Sequence, residues 1–415
     1  MNDFNVPTDV SDIIEALLSF IDRDVVPLEE EHKDLLGDER HRYREDGQFD
    51  PKVLELRKQV RRKSSESGFY TLFGPEELGG AGLGAQAAAH IQEALNRHVG
   101  PGRPLITDVV IPSPFTNGLS PVLLNLGGEV RKPYLDGLAS GEKTMCFGLS
   151  EPDAGSDVYG IKTRARLDGD SWIINGTKQW ITNAPYADYA ILFAITDPEK
   201  KKRRSGGISG FFVDTSTPGF EVTSVIPLMG HLGSEIGIIS LQDVRVPVTH
   251  VMGKVDYGLN VALGGITLGR MGMAASCVGM AQWALAKSLG YSKQRMTFGR
   301  AIADHQAVQF HLAEMAIEIY AAKNMVAHCA WLVDEGRSSV KEASIVKAYC
   351  TEMLFNVMDR AIQVHGAIGL TNELRLEEGF RHARILRIPD GTGEIQRRTI
   401  ARRLLTGDTS GVSPK

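Results

Sequence analysis

The sequence predicts an α+β protein with an N-terminal helical domain, a central antiparallel β domain and a C-terminal four-helix bundle. Three observations predict this order. Apolar residues recur at helical spacing in the first third of the chain, and short runs rich in Val, Ile, Phe and Trp fill the middle third. Long helical patterns then return. We therefore place the domains at residues 1–141, 142–252 and 253–415.

The N-terminal domain contains three helical patterns, at residues 10–26, 50–68 and 84–98. A glycine-rich loop, residues 74–84, precedes the third pattern. Its composition is similar to that of a dinucleotide-binding fingerprint, but no strand clearly precedes it and no βαβ unit follows it. We therefore do not expect a Rossmann domain here.

The middle domain is predicted to be a compact antiparallel sheet or barrel, because its apolar runs alternate with turn residues at near-regular spacing. The C-terminal domain contains long helical patterns joined by short connections, which favour a bundle. These patterns cover residues 258–295, 303–335 and 339–365, and a last helix follows Thr392.

Composition excludes several classes of function. The net charge is −5, which gives no electrostatic reason to expect a nucleic acid as partner. No apolar run approaches the ~18 residues of a membrane span, and the N-terminus lacks the features of a secretory signal. The four cysteines are scattered, with neither a CxxC pair nor a metal-site spacing. We expect a cytoplasmic protein with buried reduced thiols, no metal and no membrane contact.

Two segments, residues 146–157 and 175–184, carry the densest chemical signal. A planar redox ring needs an aromatic or apolar wall and a few fixed hydrogen-bond partners at its polar edge. Trp180 can supply the wall, Ser150 and Thr182 can supply hydroxyl groups, and the backbone N–H groups of Leu149 and Ser150 can reach ring oxygens. Each residue alone has a plainer explanation, since turn serines are common and a strand tryptophan is usually in the core. Their joint occurrence favours the redox site.

These segments, in their order and spacing, resemble the acyl-CoA dehydrogenase family. The resemblance covers nearly the whole chain and includes residues 75–84, 149–157, 178–184, 295–316, 361–373 and 387–398. It implies an FAD-dependent oxidoreductase of fatty acid metabolism that converts an acyl-CoA thioester to a 2,3-enoyl-CoA. It also implies a homo-oligomer, either a tetramer or a dimer, and an electron-transferring flavoprotein as electron acceptor.

The resemblance also implies which residues bind FAD. The segment from Phe147 to Ser156, with Leu149 and Ser150, would line the flavin, and Ser156 would also touch the substrate thioester. Trp180, Ile181 and Thr182 would cover the ring. From a neighbouring subunit, Arg295 and Thr297 would hold the pyrophosphate, with His305 and Gln306 nearby. Gln363, Gly366 and Ala367 would meet the adenine half. The basic loop 200–207 is either a solvated turn or a contact for the CoA phosphates.

Asp390 lies where most family members carry a catalytic glutamate, so the resemblance implies that it is the base that removes the α proton. Gly391, Thr392 and Glu394 would close the site beside it, with Gly391 near the thioester. No Asp or Glu occurs from Tyr257 to Ala303, so the first bundle helix cannot supply the base used there by some relatives. Arg270 would orient the loop of Asp390 and approach the substrate. The alternative for Asp390 is a helix N-cap.

At this place the sequence resembles a subgroup of the family that also has an aspartate and is associated with branched or unusual acyl substrates. We therefore expect a bulky, branched or cyclic acyl group. Two alternatives to the dehydrogenase use the same fold. The first is an acyl-CoA oxidase that passes electrons to O2. The second is a non-redox, desulfinase-like flavoprotein, against which the retained carboxylate argues.

Overall fold

A computed structural model describes residues 6–113, 117–229 and 235–412. The predicted α+β class is confirmed, since helical segments precede and follow a central sheet along the chain. The described chain separates into two compact units, each assembled from stretches distant in sequence. The first contains residues 6–24, 84–103 and 267–412, and the second contains residues 25–83 and 104–266 within the described ranges. The division into three sequential domains stays a prediction.

The helices agree closely with the long helical patterns of the sequence. In chain order, the α-helices of the described residues are α1 (Thr8–Phe20), α2 (Val26–Glu31), α3 (Lys33–Leu36), α4 (Pro51–Glu66), α5 (Ala85–Val99), α6 (Gly128–Ala139), α7 (Pro198–Lys202), α8 (Gly258–Gln294), α9 (Gln306–Asp334), α10 (Val340–His365), α11 (Leu376–Leu386) and α12 (Gly393–Leu405). Besides the short helices α2, α3 and α7, the sequence did not predict α6, which contains an internal proline, or α11, which follows Arg375 in a left-handed conformation.

The second unit is built on an eight-stranded sheet in the order β6-β7-β3-β2-β4-β5-β8, with β1 paired to β4. The strands are β1 (Met145–Gly148), β2 (Arg164–Asp168), β3 (Ser171–Thr182), β4 (Tyr189–Ile195), β5 (Ile208–Asp214), β6 (Phe220–Val225), β7 (Ile236–Pro247) and β8 (Val251–Met252). The strand pairs of this sheet are antiparallel, as predicted, except that β4 runs parallel to both β1 and β2. The chain reverses direction from β2 to β3 and again towards β4, which restores the direction of β2.

Strand β4 lies at the centre of this unit and is buried on both faces, which explains its uninterrupted apolar sequence. Ile191 and Phe193 pack into one apolar cluster, whereas Ala190 and Leu192 pack into the other. The sheet is therefore covered on both sides, and its functional side chains stand at strand ends and at an irregularity of β3.

Helix α8 contributes small apolar side chains such as Ala274, Ala281 and Ala284 to the core of the first unit. By length and composition this helix could cross a membrane, although the sequence contains no apolar run long enough to predict a membrane span. However, 53% of its apolar stretch is buried inside the protein, and the core helix of a bundle can have the same length and composition.

The four cysteines (Cys146, Cys277, Cys329 and Cys350) are free and buried, as the sequence predicted. Burial raises the pKa of the Cys146 and Cys277 thiols to about 12. These thiols therefore stay protonated at neutral pH and act as small apolar side chains.

Helix α10 carries two fully buried lysines, Lys341 and Lys347. Lys341 holds the C-terminal tail, because its Nζ donates to the Asp408 carboxylate at 2.8 Å and to the Ser410 carbonyl at 2.7 Å. It also lies 3.2 Å from the Glu342 carboxylate. The described part of the tail beyond α12, up to residue 412, is thus bound to the bundle.

Candidate active site

The predicted flavin-lining loop of the second unit is bound to strand β3 by main-chain and side-chain hydrogen bonds. The backbone N–H of Gln179 donates to the Ser150 carbonyl at 3.0 Å, and Lys178 Nζ donates to the Leu149 carbonyl at 3.2 Å. The structure therefore brings Leu149 and Ser150 next to the segment that contains Trp180. Both residues remain partly exposed, so their polar groups are accessible.

Trp180 lies in a β-bulge and is not a core residue. The pairing of β3 with β7 shifts between Lys178 and Ile181, and Trp180 adopts a left-handed conformation with φ +65°. This conformation is unfavourable for a bulky side chain and is typical of functional sites. The bulge leaves the indole 52% exposed and Thr182 exposed, whereas Ile181 is buried in the sheet core. The side chain of Ile181 is therefore not available to a ligand.

Phe147 and Ser156 stand at the two ends of the same loop. Phe147 is partly buried against Phe193, with ring centroids 5.0 Å apart, and Ser156 is exposed. An exposed indole, an aromatic side chain and accessible hydroxyl and backbone groups are the features that a planar ring with a polar edge requires. The residues of this unit thus fit the flavin.

Glu151 is excluded as a catalytic base by its environment. Its carboxylate accepts a hydrogen bond from Lys178 Nζ at 2.7 Å and from the Thr163 backbone N–H at 3.1 Å. Burial acts to raise the pKa of Glu151, but the Lys178 charge and these hydrogen bonds lower it overall. A carboxylate occupied in this way supports the loop and is not free to accept a substrate proton.

In the first unit, a two-stranded hairpin precedes α9. Its strands are β9 (Met296–Thr297) and β10 (Arg300–Ala301), and both turn residues, Phe298 and Gly299, have positive φ. His305 joins the strands, because one ring nitrogen lies 3.2 Å from Thr297 Oγ1 and the other lies 3.2 Å from an Arg300 nitrogen. Among the described residues, no side chain caps the N-terminus of α9.

Arg295 precedes this hairpin and Gln306 follows it, and both side chains are exposed. An arginine beside an uncapped helix N-terminus is a favourable arrangement for phosphate oxygens. The predicted group Gln363, Gly366 and Ala367 is also exposed and lies nearby, because the His365 ring stacks on Tyr291 at 4.5 Å. The two predicted nucleotide-binding segments are therefore brought together. His365 itself is buried and hydrogen-bonded to the Ala361 carbonyl, which indicates a structural role.

Asp390 lies in a tight turn before α12, with φ +56°, and Gly391 follows with φ +91°. Arg270 Nε and Gln396 Nε2 donate to the Asp390 carbonyl at 2.9 and 3.0 Å. A Cβ atom on residue 391 would lie 2.8 Å from Gln396 Nε2, so glycine is required there. The sequence correctly paired Arg270 with this loop, although the contact is made to the main chain.

The carboxylate of Asp390 makes no hydrogen bond and no ion pair to any residue that the structure describes. Burial raises its pKa, while the Arg270 and Lys347 charges act in the opposite direction. Arg270 is 8% exposed and Lys347 is fully buried. The result is a partly buried carboxylate, flanked by two cations, whose oxygens are not used to stabilise the fold.

The N-cap of α12 is Thr392, whose Oγ1 accepts a hydrogen bond from the Ile395 backbone N–H at 3.4 Å. The capping alternative for Asp390 is therefore wrong. Glu394 lies in the first helical turn and is exposed, and hydrogen bonds to its own backbone N–H and to Thr392 lower its pKa. An exposed, readily ionised carboxylate cannot act as a desolvated base, so Glu394 is not a substitute for Asp390.

Lys347 and Gln396 were missed by the sequence analysis. Lys347 Nζ and Gln396 Nε2 both donate to the Gly391 carbonyl at 2.9 Å. A signal was present for the lysine, because it occupies the buried face of α10 together with Ala343, Cys350 and Leu354. A charged residue at a core position needs a polar partner, which here is the turn of Asp390.

The basic loop contains the short helix α7, capped by Asp197, and is therefore not a simple turn. A cavity of about 350 Å³ lies beside it. The guanidinium of Arg204 is 5.3 Å from the Tyr159 ring centroid and forms an ion pair with Asp157 at 2.8 Å. The lining residues are mostly cationic, comprising Tyr159, Arg164, Ile195, Pro198, Lys201, Lys202 and Arg204.

Comparison with known proteins gives one consistent family. Residues 146–244 match the acyl-CoA dehydrogenase middle domain and residues 256–405 match its C-terminal domain. The chain is 40% identical to a probable acyl-CoA dehydrogenase, YngJ of Bacillus subtilis, over 85% of this chain and 90% of that protein. It is 35% identical to subunit CarC of a caffeyl-CoA reductase-Etf complex from Acetobacterium woodii, over 87% of this chain and 91% of that subunit.

Among solved structures, an FAD complex of PigA is similar with a TM-score of 0.82 and 27% identity, covering 97% of this chain and 99% of that one. These matches and the flavin-compatible residues of the site agree on the cofactor and on the class of reaction. The chain therefore belongs to the acyl-CoA dehydrogenase family and is a flavoprotein oxidoreductase that uses FAD to dehydrogenate acyl-CoA thioesters.

Proposed function

We propose that Asp390 is the base that removes the α proton of the acyl-CoA thioester in this dehydrogenase. The observation that carries the proposal is the free carboxylate. Arg270 and Gln396 hold the main chain of Asp390, yet its side-chain oxygens are not bound by any described residue. A base must be fixed in position and still available to accept a proton, and burial that raises its pKa makes it a stronger acceptor.

The reaction breaks two C–H bonds and forms one C=C bond. The α proton passes to an Asp390 oxygen, and the electron pair that it leaves forms the double bond with the β carbon. FAD, held by the residues described above, would supply the acceptor for the β hydrogen, which leaves as hydride. Arg270 holds the Asp390 carbonyl, so the carboxylate stays aimed while the negative charge moves away from it. Gly391 follows immediately and places its backbone N–H beside the base, where it can serve the thioester carbonyl.

Asp390→Asn tests this role. The amide cannot accept the α proton, but asparagine tolerates the left-handed conformation of this position. We expect the variant to fold and to bind FAD, and we expect anaerobic flavin reduction by acyl-CoA to slow by at least ~10²–10⁴-fold. The rate of flavin bleaching in a stopped-flow instrument measures this effect.

Glu394→Gln is the matched control, since Glu394 lies on the same segment but is exposed. It should reduce its flavin at close to the wild-type rate. If Asp390→Asn bleaches its flavin as fast as the wild-type protein does, Asp390 is not the base.

We also propose a bulky, branched or cyclic acyl group for the substrate. Aspartate is one methylene shorter than glutamate, so the carboxylate is withdrawn by roughly 1–1.5 Å, about one C–C bond. On α8, a Cβ atom at Gly264 would meet nothing within 4 Å, which leaves space beside this helix. Gly265 and Gly269 on the same helix are equally small.

A panel of thioesters checks this assignment under anaerobic conditions. We expect isobutyryl-CoA, cyclohexanecarboxyl-CoA or 3-phenylpropionyl-CoA to bleach the flavin faster than butyryl-CoA or octanoyl-CoA, because straight chains leave the additional space unfilled. A clear preference for the straight chains would contradict the proposal. Subsequent admission of air separates the two electron acceptors, since rapid recolouring indicates an oxidase and slow recolouring indicates a dehydrogenase.

An electron-transferring flavoprotein is the acceptor that we favour, because a relative of similar length is a subunit of a reductase-Etf complex. The cationic cavity beside α7 suits the phosphates of CoA, since Lys201, Lys202 and Arg204 line it. We further propose a homo-oligomer, a dimer or tetramer, in a cytoplasmic setting. Exposed apolar side chains on α9 and its hairpin support association, with Phe298 97% exposed and Tyr320 74% exposed.

A further inference from the structure

The turn that carries Asp390 is held by side chains from three different helices. Arg270 of α8 and Gln396 of α12 donate to the Asp390 carbonyl, at 2.9 and 3.0 Å. Lys347 of α10 and Gln396 donate to the Gly391 carbonyl, both at 2.9 Å. Four hydrogen bonds therefore fix two successive carbonyl groups directly beside one carboxylate.

Gln396 is fully buried, and its Oε1 has no hydrogen-bond partner within the described part of the chain. A buried amide oxygen without a partner costs stability. The amide keeps this orientation because its nitrogen serves both carbonyls of the turn. The backbone of Asp390 is therefore held in place although the Gln396 Oε1 atom is left without a hydrogen bond.

The positive charge of Lys347 is not needed to satisfy the Gly391 carbonyl, because Gln396 already supplies a neutral donor. Burial lowers the pKa of Lys347 to about 8, so a charged amine at this position is costly. Of the described carboxylates, none lies within the 4.0 Å ion-pair distance of its Nζ. The charge is thus not consumed by an ion pair, and Asp390 is the carboxylate that interacts with it most strongly.

We propose that Lys347 is a positioning residue for this reaction, which holds the Asp390–Gly391 turn and keeps the Asp390 carboxylate ionised by its nearby positive charge. The inference rests on the proposed function, since it matters only if Asp390 is the base. A direct ion pair would occupy the carboxylate oxygens. A cation anchored to the next carbonyl favours the ionised form and leaves the oxygens free for the substrate.

The charged and titratable groups around this pair come from all three packed elements. Arg270 and Cys277 of α8 and Glu394 of α12 act on Lys347, in addition to Asp390. Arg270 and Lys347 act on Asp390. Arg270 keeps its charge throughout the accessible pH range, and burial keeps the Cys277 thiol protonated. Lys347 is therefore the cation whose removal changes the field at Asp390 while the Arg270 contact remains.

Lys347→Gln tests the charge, because glutamine can still donate to the Gly391 carbonyl. The measurement is the limiting rate of anaerobic flavin reduction by butyryl-CoA, or by the fastest thioester of the panel, as a function of pH. We expect the acid limb of this profile, where the rate falls at low pH, to shift to a higher pH by about one unit, because the carboxylate loses a nearby opposite charge. Below the limb the rate should fall about tenfold, with the Kd of the thioester unchanged. Lys347→Arg should restore the wild-type limb.

Lys341→Met is the matched control, because Lys341 is equally buried on the same helix but binds the C-terminal tail. It should lose thermal stability without moving the limb. Gln396→Met keeps the Lys347 charge and removes the neutral donor, so it should lower the rate at every pH with an unmoved limb. This variant keeps the test decisive if Lys347→Gln does not fold.

A wild-type acid limb in Lys347→Gln, or a moved limb in Gln396→Met, would overturn the inference. Rapid flavin reduction by Asp390→Asn would instead overturn the proposed function. The two failures are therefore distinguishable.

Discussion

Lys178 of the second unit and Lys347 of the first are both fully buried, and burial lowers the pKa of each to about 8. Their partners differ. Lys178 lies 2.7 Å from the Glu151 carboxylate, whereas the hydrogen bond from Lys347 goes to the Gly391 carbonyl. The charge of Lys178 is thus used locally to hold a loop. The charge of Lys347 remains available to act on Asp390. Equal burial and an equal pKa therefore do not imply an equal role, and the partner atoms decide it.

The largest effect that separates the two lysines is on stability. Lys178→Met leaves the Glu151 carboxylate buried without its cation, and we expect a loss of about 3–5 kcal/mol in the free energy of unfolding. Chemical denaturation at matched flavin content measures it. The double variant Lys178→Met/Glu151→Gln should recover most of the loss, because the amide oxygen can still accept from the backbone N–H groups. A loss below about 1 kcal/mol in the single variant would show that the pair is not structural.

Lys347→Met should cost less stability than Lys178→Met, because the described structure contains no carboxylate bound directly to it. A hydrogen bond from a charged donor contributes about 1.5–3 kcal/mol, and removal of a buried ammonium offsets part of this loss. We expect a net loss under about 2 kcal/mol in the same denaturation experiment, together with the change in pH profile described above. If both lysine variants are equally destabilised, the distinction between them fails.

The smallest effect concerns the stability of Asp390→Asn. Since the fold raises the pKa of Asp390, the folded state disfavours its ionised form, and this cost is present above the folded pKa. Asparagine removes the cost and suits φ +56°. At neutral pH we expect the variant to be as stable as the wild-type protein or more stable, with a gain of at most about 1 kcal/mol in the free energy of unfolding. The gain should fade as the pH falls towards the ordinary aspartate pKa. A variant that is less stable at neutral pH would indicate a structural role for the carboxylate.

The sequence predicted the long helices and most strands, because helical spacing, long apolar segments and apolar runs between turn residues are local signals. It was least informative where several elements meet. The parallel pairing of β4 with β2 depends on the path of the chain, and α11 begins at Arg375 in a left-handed conformation that no propensity rule indicates. Both features arise from tertiary packing rather than from local preference.

The candidate site shows the same limit. Asp390 and Arg270 could be named from the sequence, because each lies in a recognisable segment. The contribution of Lys347 was missed, although its position among apolar residues of α10 was a signal, because a lysine in the middle of a helix usually extends into solvent. Asp390 was also a reasonable N-cap by its sequence, and only the hydrogen bond between Thr392 and Ile395 excluded that role. Exposure of Trp180 could not be predicted either, because it depends on one additional residue in β3.

The attachment of the C-terminal tail has a consequence for protein engineering. Asp408 and Ser410 neutralise and solvate Lys341, an ammonium that is otherwise enclosed by the bundle. Trimming the chain after Leu405 would therefore remove no catalytic group, yet it would take away the hydrogen bonds from Asp408 and Ser410, leave Lys341 with Glu342 beside it, and loosen α10 at its first turn. Because Lys347 lies on that helix less than two turns further on, an affinity tag that displaces the tail would lower the stability of the helix that carries it. For recombinant production, the tag belongs at the opposite end of the chain.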